Sequence, residues 1–406
     1  MSNWKRILLV MTISQLSTSI GFSIIFPFLP FYVRELGTAS DFSTEFLAGL
    51  VFSSQALAMA AASPFWGILA DRFGRKPMVV RAIFGGSITI FLMGLARSAE
   101  ELIFLRVLQG LLSGVISSTM ALVASVAPRG KTGFSMGILQ LGMWTGVSSG
   151  PLLGGILADN YGYRIPFFVT AALLAFTGAL VLILVKEPFT RAPAPSGRFH
   201  FLRDWHRILK SPGLSTTLAL RFLNSVGTTA ILPILPLYIE QLLGSGQQTG
   251  TYTGLVAGAS SIAGTLSAVM LGRLGDRSGH KRIVLFTSLG AALFFIAQMF
   301  VSAPWQLLML QIFAGATIGG LLPSLTALLA IYSKSSELGS VYGLDNSTVS
   351  AGRAAAPLLG AAVALQFGLR GTFAFTGLVF LLLAVLATGL LGTGRGLDSS
   401  SGGHAD

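Results

Sequence analysis

Twelve predominantly apolar runs of about 20 residues or more follow one another along the chain, separated by short polar connections: 7–33, 45–68, 79–97, 101–127, 133–158, 165–186, 214–240, 250–272, 283–301, 305–332, 339–366 and 370–393. A helix of roughly 20 apolar residues crosses about 30 Å of hydrocarbon. Inside a bilayer every backbone polar group must be satisfied by the protein itself, which leaves helices or a closed barrel. The ten-residue segments of alternating polarity that a barrel requires are absent. The predicted fold is therefore an all-α polytopic membrane protein. Composition removes the soluble alternative, since only 10% of residues are charged and mean hydropathy is +0.75, against about 25% charged in soluble domains. The first run follows MSNWKR, is about twice the apolar length of a secretory leader and lacks a small-residue cleavage site, so it is predicted to be an uncleaved span.

With both termini in the cytoplasm, 20 of the 27 Lys and Arg residues fall in inner connections and only Arg34, Arg97, Arg164 and Arg370 in outer ones. Positive charge accumulates on the cytoplasmic side of membrane proteins, so this orientation in a cell inner (plasma) membrane is the expected one. The net charge of +12 is thus divided among short loops facing anionic lipid. No domain is left to present it to nucleic acid.

The chain also repeats itself. FPFLPFYVREL (26–36) returns as LPILPLYIEQL (232–242), GILADRFGRK (67–76) as GRLGDRSGHK (272–281), and DNYGYR (159–164) as LQFGLR (365–370), at a shift of 205 or 206 residues throughout. A constant shift at three sites implies a duplicated six-span unit, and parallel six-span repeats around a central cavity are a transporter architecture. The expected division is an N-terminal six-helix bundle (1–190), a cytoplasmic linker (191–212), a C-terminal six-helix bundle (213–395) and a disordered Gly/Ser-rich tail (396–406). Within the linker, FHFLRDWHRILK has the pattern of an amphipathic surface helix.

Charge concentrated in GILADRFGRK needs explaining in so apolar a chain. Anchoring accounts for Arg75, Lys76, Lys281 and Arg282, but Asp71 and Asp276 oppose it, and each is expected to face a helix N-terminus or an arginine of a neighbouring helix. This loop resembles the motif that follows the second span in the major facilitator superfamily, and the resemblance extends over the whole chain. It implies that Gly67, Asp71, Arg72, Gly74, Arg75 and Lys76 form a conformational gate, with a weaker copy around Asp276 and Arg277 in which Gly275, Ser278 and His280 depart from the pattern.

Span 5 carries GMWTGVSSGPLLGG (142–155), in which Gly142, Gly146, Gly150 and Gly154 recur every four residues on one helix face, beside Pro151 and Gly155. Such a face permits close helix approach. It also resembles the antiporter motif of the superfamily, whereas the second half keeps only Ala356, Pro357 and Gly360. RVLQG (106–110) in span 4 resembles the motif whose arginine bears on proton coupling, which implicates Arg106; snorkelling toward the outer surface is the plain alternative. FPFLP in span 1 completes a resemblance to the twelve-span drug:proton antiporters. Export of small amphiphilic compounds in exchange for protons, by a protein working as a monomer, is the implied activity.

Asp345 is the one acid placed clearly within a span, which makes it the candidate proton carrier, although pairing with Arg129 or Lys131 is equally open. Four loop or tail histidines and no cysteine offer no metal site, and no cofactor beyond the proton gradient is expected. The cavity-lining spans of the family implicate Gln15, Ser19, Phe22, Phe26 and Gln109 in the first half, Arg221, Phe222, Asn224 and Gln311 in the second, and nearby Gln140, Trp144 and Arg353. Arg221 and Arg353 point to tolerance of anionic or zwitterionic substrates. GKT (130–132) is no phosphate loop, because Ser125 stands where its first glycine belongs. No nucleophile, base and acid cluster, so an enzyme is not expected. A sugar, metabolite or lipid transporter of the same fold, including a proton-coupled uptake permease, is the alternative.

Overall fold

The computed structural model describes residues 3–38, 41–187, 208–244, 248–333 and 338–392. Fifteen helices account for nearly all of them: α1 Asn3–Ser23, α2 Leu29–Leu36, α3 Thr44–Phe73, α4 Arg75–Gly94, α5 Ala99–Leu112, α6 Val115–Val126, α7 Thr132–Tyr161, α8 Ile165–Leu184, α9 Pro212–Ala230, α10 Leu235–Leu243, α11 Thr249–Ser278, α12 His280–Gln298, α13 Pro304–Gly319, α14 Leu321–Tyr332 and α15 Leu338–Gly392. The predicted linker helix, apart from its last residues 208–210, and the tail lie outside the described residues.

These helices make twelve spans because several spans are broken in the middle. Span 1 is α1 plus α2, with Pro30 in the first turn of α2, and span 7 is α9 plus α10 with Pro236 in the same place. Proline fits a first turn, where its missing N–H costs nothing, and stops the helix that precedes it. Span 4 breaks at Gly114, whose φ of 119° is left-handed, and span 10 breaks at Gly320, its counterpart in the repeat. Conversely, α15 is two spans joined without a loop, meeting at Gly368 with φ 75°. Eight helical stretches among the described residues are long and apolar enough to cross a bilayer, and the 50-residue stretch Ser340–Gly389 accommodates two.

The chain divides into two compact units, one formed by residues 1–196 with 232–258, the other by 197–231 with 259–406. In the first, α1 packs along α7 and α8, α3 along α5, and α4 along α8; in the second, α15 packs along α9 and α12.

The sequence repeat is reproduced contact by contact. A Cβ on Gly146 would meet the Leu16 carbonyl and Ser19, and one on Gly352 the Phe222 carbonyl and Ser225. Gly154 is backed by the carbonyl of Ile24, Gly360 by that of Ala230; Gly110 by that of Gln55, Gly315 by that of Ser260. Each pair is related by the same 205- or 206-residue shift. Lipid gives apolar helices little reason to associate, so backbone approach at small residues supplies much of the packing energy. The glycines are therefore structural necessities in both units.

Candidate functional site

The charged loop after span 2 is built on a helix start. Gly74, with φ 95°, ends α3 and begins α4. The Glu187 carboxylate, just past α8, accepts hydrogen bonds from the backbone N–H groups of Arg75 (2.9 Å) and Lys76 (2.8 Å). A carboxylate at a helix N-terminus satisfies orphan donors and the positive end of the dipole together. Arg75 donates through Nη1 to the Ala121 carbonyl on α6, Lys76 through Nζ to the Leu182 carbonyl at 2.8 Å, and Arg72 lies over its neighbour Phe73. The loop thus ties α3 and α4 to α6 and α8. Gly67 and Asp71 lie in the last turns of α3. In the copy, Gly279 (φ 92°) makes the same corner, Asp276 pairs with His280 at 3.2 Å across it, and Arg277 is exposed.

The span 5 glycines serve two partners. Gly142, Gly146, Gly150 and Gly154 receive α1, and Ser23 donates across the seam to the Gly146 carbonyl at 3.1 Å. Gly155 abuts the Gly250 carbonyl, while Gly254 abuts the carbonyl of Pro151, the proline inside α7. At that same end Asp159 accepts hydrogen bonds from the backbone N–H groups of Gly250 (3.1 Å) and Thr251 (2.6 Å), capping α11 as Glu187 caps α4. Nearby in the repeat, Arg34 of α2 makes a two-pronged ion pair with Glu240 of α10 at 2.6 and 3.0 Å. The two residues occupy equivalent positions of the repeat, 206 residues apart, so identical residues there would repel if charged. Gln140 and Trp144, also on α7, are exposed.

Arg106 does not snorkel: it is 1% exposed. Its Nη1 donates to Gln55 Oε1 and Gln109 Oε1, both at 3.0 Å, and its guanidinium lies 6.0 Å from the centre of the Phe52 ring. Nε and Nη2 have no hydrogen-bond partner in the protein. Phe52 meets Phe26 at a tilt (5.4 Å between centroids), and Phe26 meets the exposed Phe22 edge to face (5.8 Å). Gln15 and Ser19 are buried on α1, with the amide of Gln15 and the hydroxyl of Ser19 unpartnered. Below Arg106 the break at Gly114 is stitched by two residues that the sequence did not single out. Trp66 donates its indole N–H to the Leu111 carbonyl (2.6 Å), and Arg81, lying over the Trp66 ring, donates to the Ser113 carbonyl (3.1 Å). A free carbonyl in hydrocarbon is costly, so an interrupted span needs such donors.

In the second unit Arg221 of α9 grips Asp345 of α15 with a complete fork, Nε to Oδ1 at 2.6 Å and Nη2 to Oδ2 at 2.7 Å. Asp345 is the only buried carboxylate among the described residues. Its partner is Arg221 rather than Arg129 or Lys131. Arg353, two turns further along α15, is exposed and within electrostatic reach of Arg221. Gln311 donates to Gln298 at 3.0 Å, Phe222 packs against Val226, Ala230, Ala356 and Val379, and the buried Oδ1 of Asn224 has no partner. Among the described residues no cluster of His, Asp or Glu has metal-holding geometry.

The sequence profile of the Major Facilitator Superfamily matches residues 11–250 and 217–405. The multidrug resistance protein MdtG of Serratia proteamaculans is 40% identical over 384 residues, covering 94% of this chain and 93% of that one. MdtG of Enterobacter lignolyticus is 40% identical over 389 residues, covering 96% and 92%. Among solved structures, a bacterial homologue of the human lysosomal transporter Spinster, in an inward-facing and unoccupied conformation, superposes with a TM-score of 0.80 at 15% identity, covering 95% of this chain and 96% of that one. Twelve spans, a six-span repeat retained in its glycine contacts, and relatives spanning nearly the full chain agree, and the protein belongs to the Major Facilitator Superfamily.

Proposed function

We propose that the protein exports small amphiphilic compounds, drugs among them, in exchange for protons by alternating access, from a cell inner membrane with both termini in the cytoplasm. The observation that carries this reading is the 40% identity to proteins named for multidrug resistance over 94% of the chain. The geometry is consistent with it. Asp345 can take a proton only if the Arg221 fork lets go, so proton occupancy and the ion pair are mutually exclusive, which is what a coupling element with two states needs. The contacts of Glu187 and Asp159 with the starts of α4 and α11 are likewise of a kind made in one state and broken in another. Spans 1–6 and 7–12 act as the two bundles, joined by the linker at 191–212, and a monomer suffices.

Proton flux into liposomes carrying the purified protein, under an imposed pH gradient, tests the proposal. Addition of an amphiphilic compound should trigger flux, and Asp345→Asn should abolish it while leaving the protein folded. Absence of flux with every compound, from protein shown to be monodisperse, would refute drug antiport and favour a sugar, metabolite or lipid substrate.

A further inference from the structure

Span 4 is interrupted between its two functional ends. Arg106 lies on α5, while α6 is tied to the charged loop by the bond from Arg75 to the Ala121 carbonyl. Between them Gly114 holds φ 119° and ψ 14°, a left-handed conformation open to glycine and strained for almost any other residue. In a continuous helix the carbonyls of Leu111 and Ser113 would accept from the backbone N–H groups four residues on, those of Val115 and Ser117. In the broken span these carbonyls accept instead from the Trp66 indole at 2.6 Å and from Arg81 Nη2 at 3.1 Å, on α3 and α4. The Arg81 guanidinium lies 3.4 Å from the centre of the Trp66 ring, so the two donors hold each other in place.

The same two carbonyls therefore have two sets of donors, side chains for a bent span and backbone for a straight one. A bare carbonyl in hydrocarbon is costly, and neither arrangement leaves one. That removes the main obstacle to passing between them, which is the condition for a bistable element. Arg81 is not stranded when released. It stands six residues past the start of α4, about 9 Å from the charged loop, within reach of the membrane surface for so long a side chain. The second unit has no such choice. The repeat puts Leu271 in the place of Trp66 and Phe286 in that of Arg81, each 205 residues on, and neither side chain can donate. Gly320, where span 10 bends, keeps a right-handed φ of −77°, and a Cβ there would meet Leu271 and Thr287.

We propose that span 4 is a two-state hinge: Gly114 switches between left-handed and helical conformations, and Trp66 and Arg81 latch the bent form. Release of the latch lets α6, held to α4 by Arg75, change its angle to α5, which carries Arg106. The loop and Arg106 are thereby linked through one joint. This rests on the alternating-access reading and assigns a moving part of it to the first unit. Trp66 and Arg81 are positioning residues.

The chain has no cysteine, so Phe104→Cys on α5 and Ala124→Cys on α6, both at exposed positions, carry a pair of spin labels without background. A continuous helix sets these positions about 30 Å apart, and a bend at Gly114 departs from that value. Distances are measured by double electron–electron resonance on the full chain in nanodiscs, at acidic and alkaline pH, with and without naphthoate or naphthylmethylamine, and proton flux triggered by the same probes is followed in liposomes. The labelled protein should show two populations whose ratio moves with pH or probe. Gly114→Ala should leave only the continuous-helix distance and reduce flux by about tenfold or more. Arg81→Met deletes the donor and keeps an unbranched side chain, and should raise the ratio of straight to bent by about tenfold; it carries the test where Gly114→Ala does not fold. A single distance unmoved by any condition, in protein that supports triggered flux, would overturn the hinge and leave transport standing. A bent population surviving in Gly114→Ala, or an unchanged ratio in Arg81→Met, would overturn it as well. Without flux from either probe the transport reading falls, whereas the hinge is still decided by the distances.

Discussion

Replacing single glycines of α7 by alanine turns the packing of span 5 into a graded series. The gain is common to all: alanine favours a helix over glycine by about 1 kcal/mol. The penalty depends on what the new methyl meets. At Gly137 nothing lies within 4 Å, so Gly137→Ala should stabilise by nearly that full amount. At Gly142 the methyl would lie 3.1 Å from the Cγ2 and carbonyl oxygen of Thr12, which needs a shift of a few tenths of an ångström. Gain and cost then nearly cancel, to within about 0.5 kcal/mol. At Gly146 it would lie 2.6 Å from the Leu16 carbonyl and 2.7 Å from Ser19 Cβ. Overpacking costs about 1–3 kcal/mol, for a net loss of about 0–2. At Gly154 the methyl falls well inside contact with the Ile24 carbonyl group, which no side-chain rotation relieves. The helices must move apart, at a net cost above about 2 kcal/mol. Unfolding in mixed micelles by added SDS, followed by near-UV circular dichroism, should order the four variants 137, 142, 146, 154 from most to least stable. Gly154→Ala as stable as Gly137→Ala would mean that α7 does not meet α1 along this face.

Three further outcomes are expected. Arg34→Glu should weaken the pairing of α2 with α10 through repulsion with Glu240, and the swap Arg34→Glu with Glu240→Arg should restore it, with a coupling of about 0.2–1 kcal/mol because both groups are partly exposed; a double-mutant cycle on stability reads this, and additive single effects would count against the pair. Asp159→Asn should cost about 0.5–2 kcal/mol and speed amide exchange at Gly250 and Thr251, the two N–H groups that it caps; unchanged exchange would remove the cap from the account. Trp66→Phe retains a ring under Arg81 but deletes the donor to the Leu111 carbonyl. It should destabilise by about 1–3 kcal/mol, with faster exchange confined to α5 and α6 around the break; an unaltered span 4 would show that the stitch is dispensable.

The sequence by itself determined the number of spans, the duplication and the family, and the reason is physical. Apolar length answers to bilayer thickness, so spans 2, 3 and 6 could be read within a few residues as α3, α4 and α8. The repeat was legible because loop glycines such as Gly74 and Gly279 occupy left-handed corners that few other residues tolerate. The span 5 glycines announced a close helix face for a different reason, since without a Cβ they let a neighbouring backbone approach. Only the tertiary structure decided partners. Arg221 and Asp345 stand 124 residues apart, and Arg75 and the Glu187 carboxylate 112. No local periodicity encodes such pairs, because they arise where helices cross. Trp66 and Arg81, which no motif singled out, act as donors to a broken helix because Gly114 opens its carbonyls to them. For Arg106, the sequence offered proton coupling or snorkelling toward the surface. Burial removed the second, and only the folded chain showed the guanidinium held by the amides of Gln55 on α3 and Gln109 on α5.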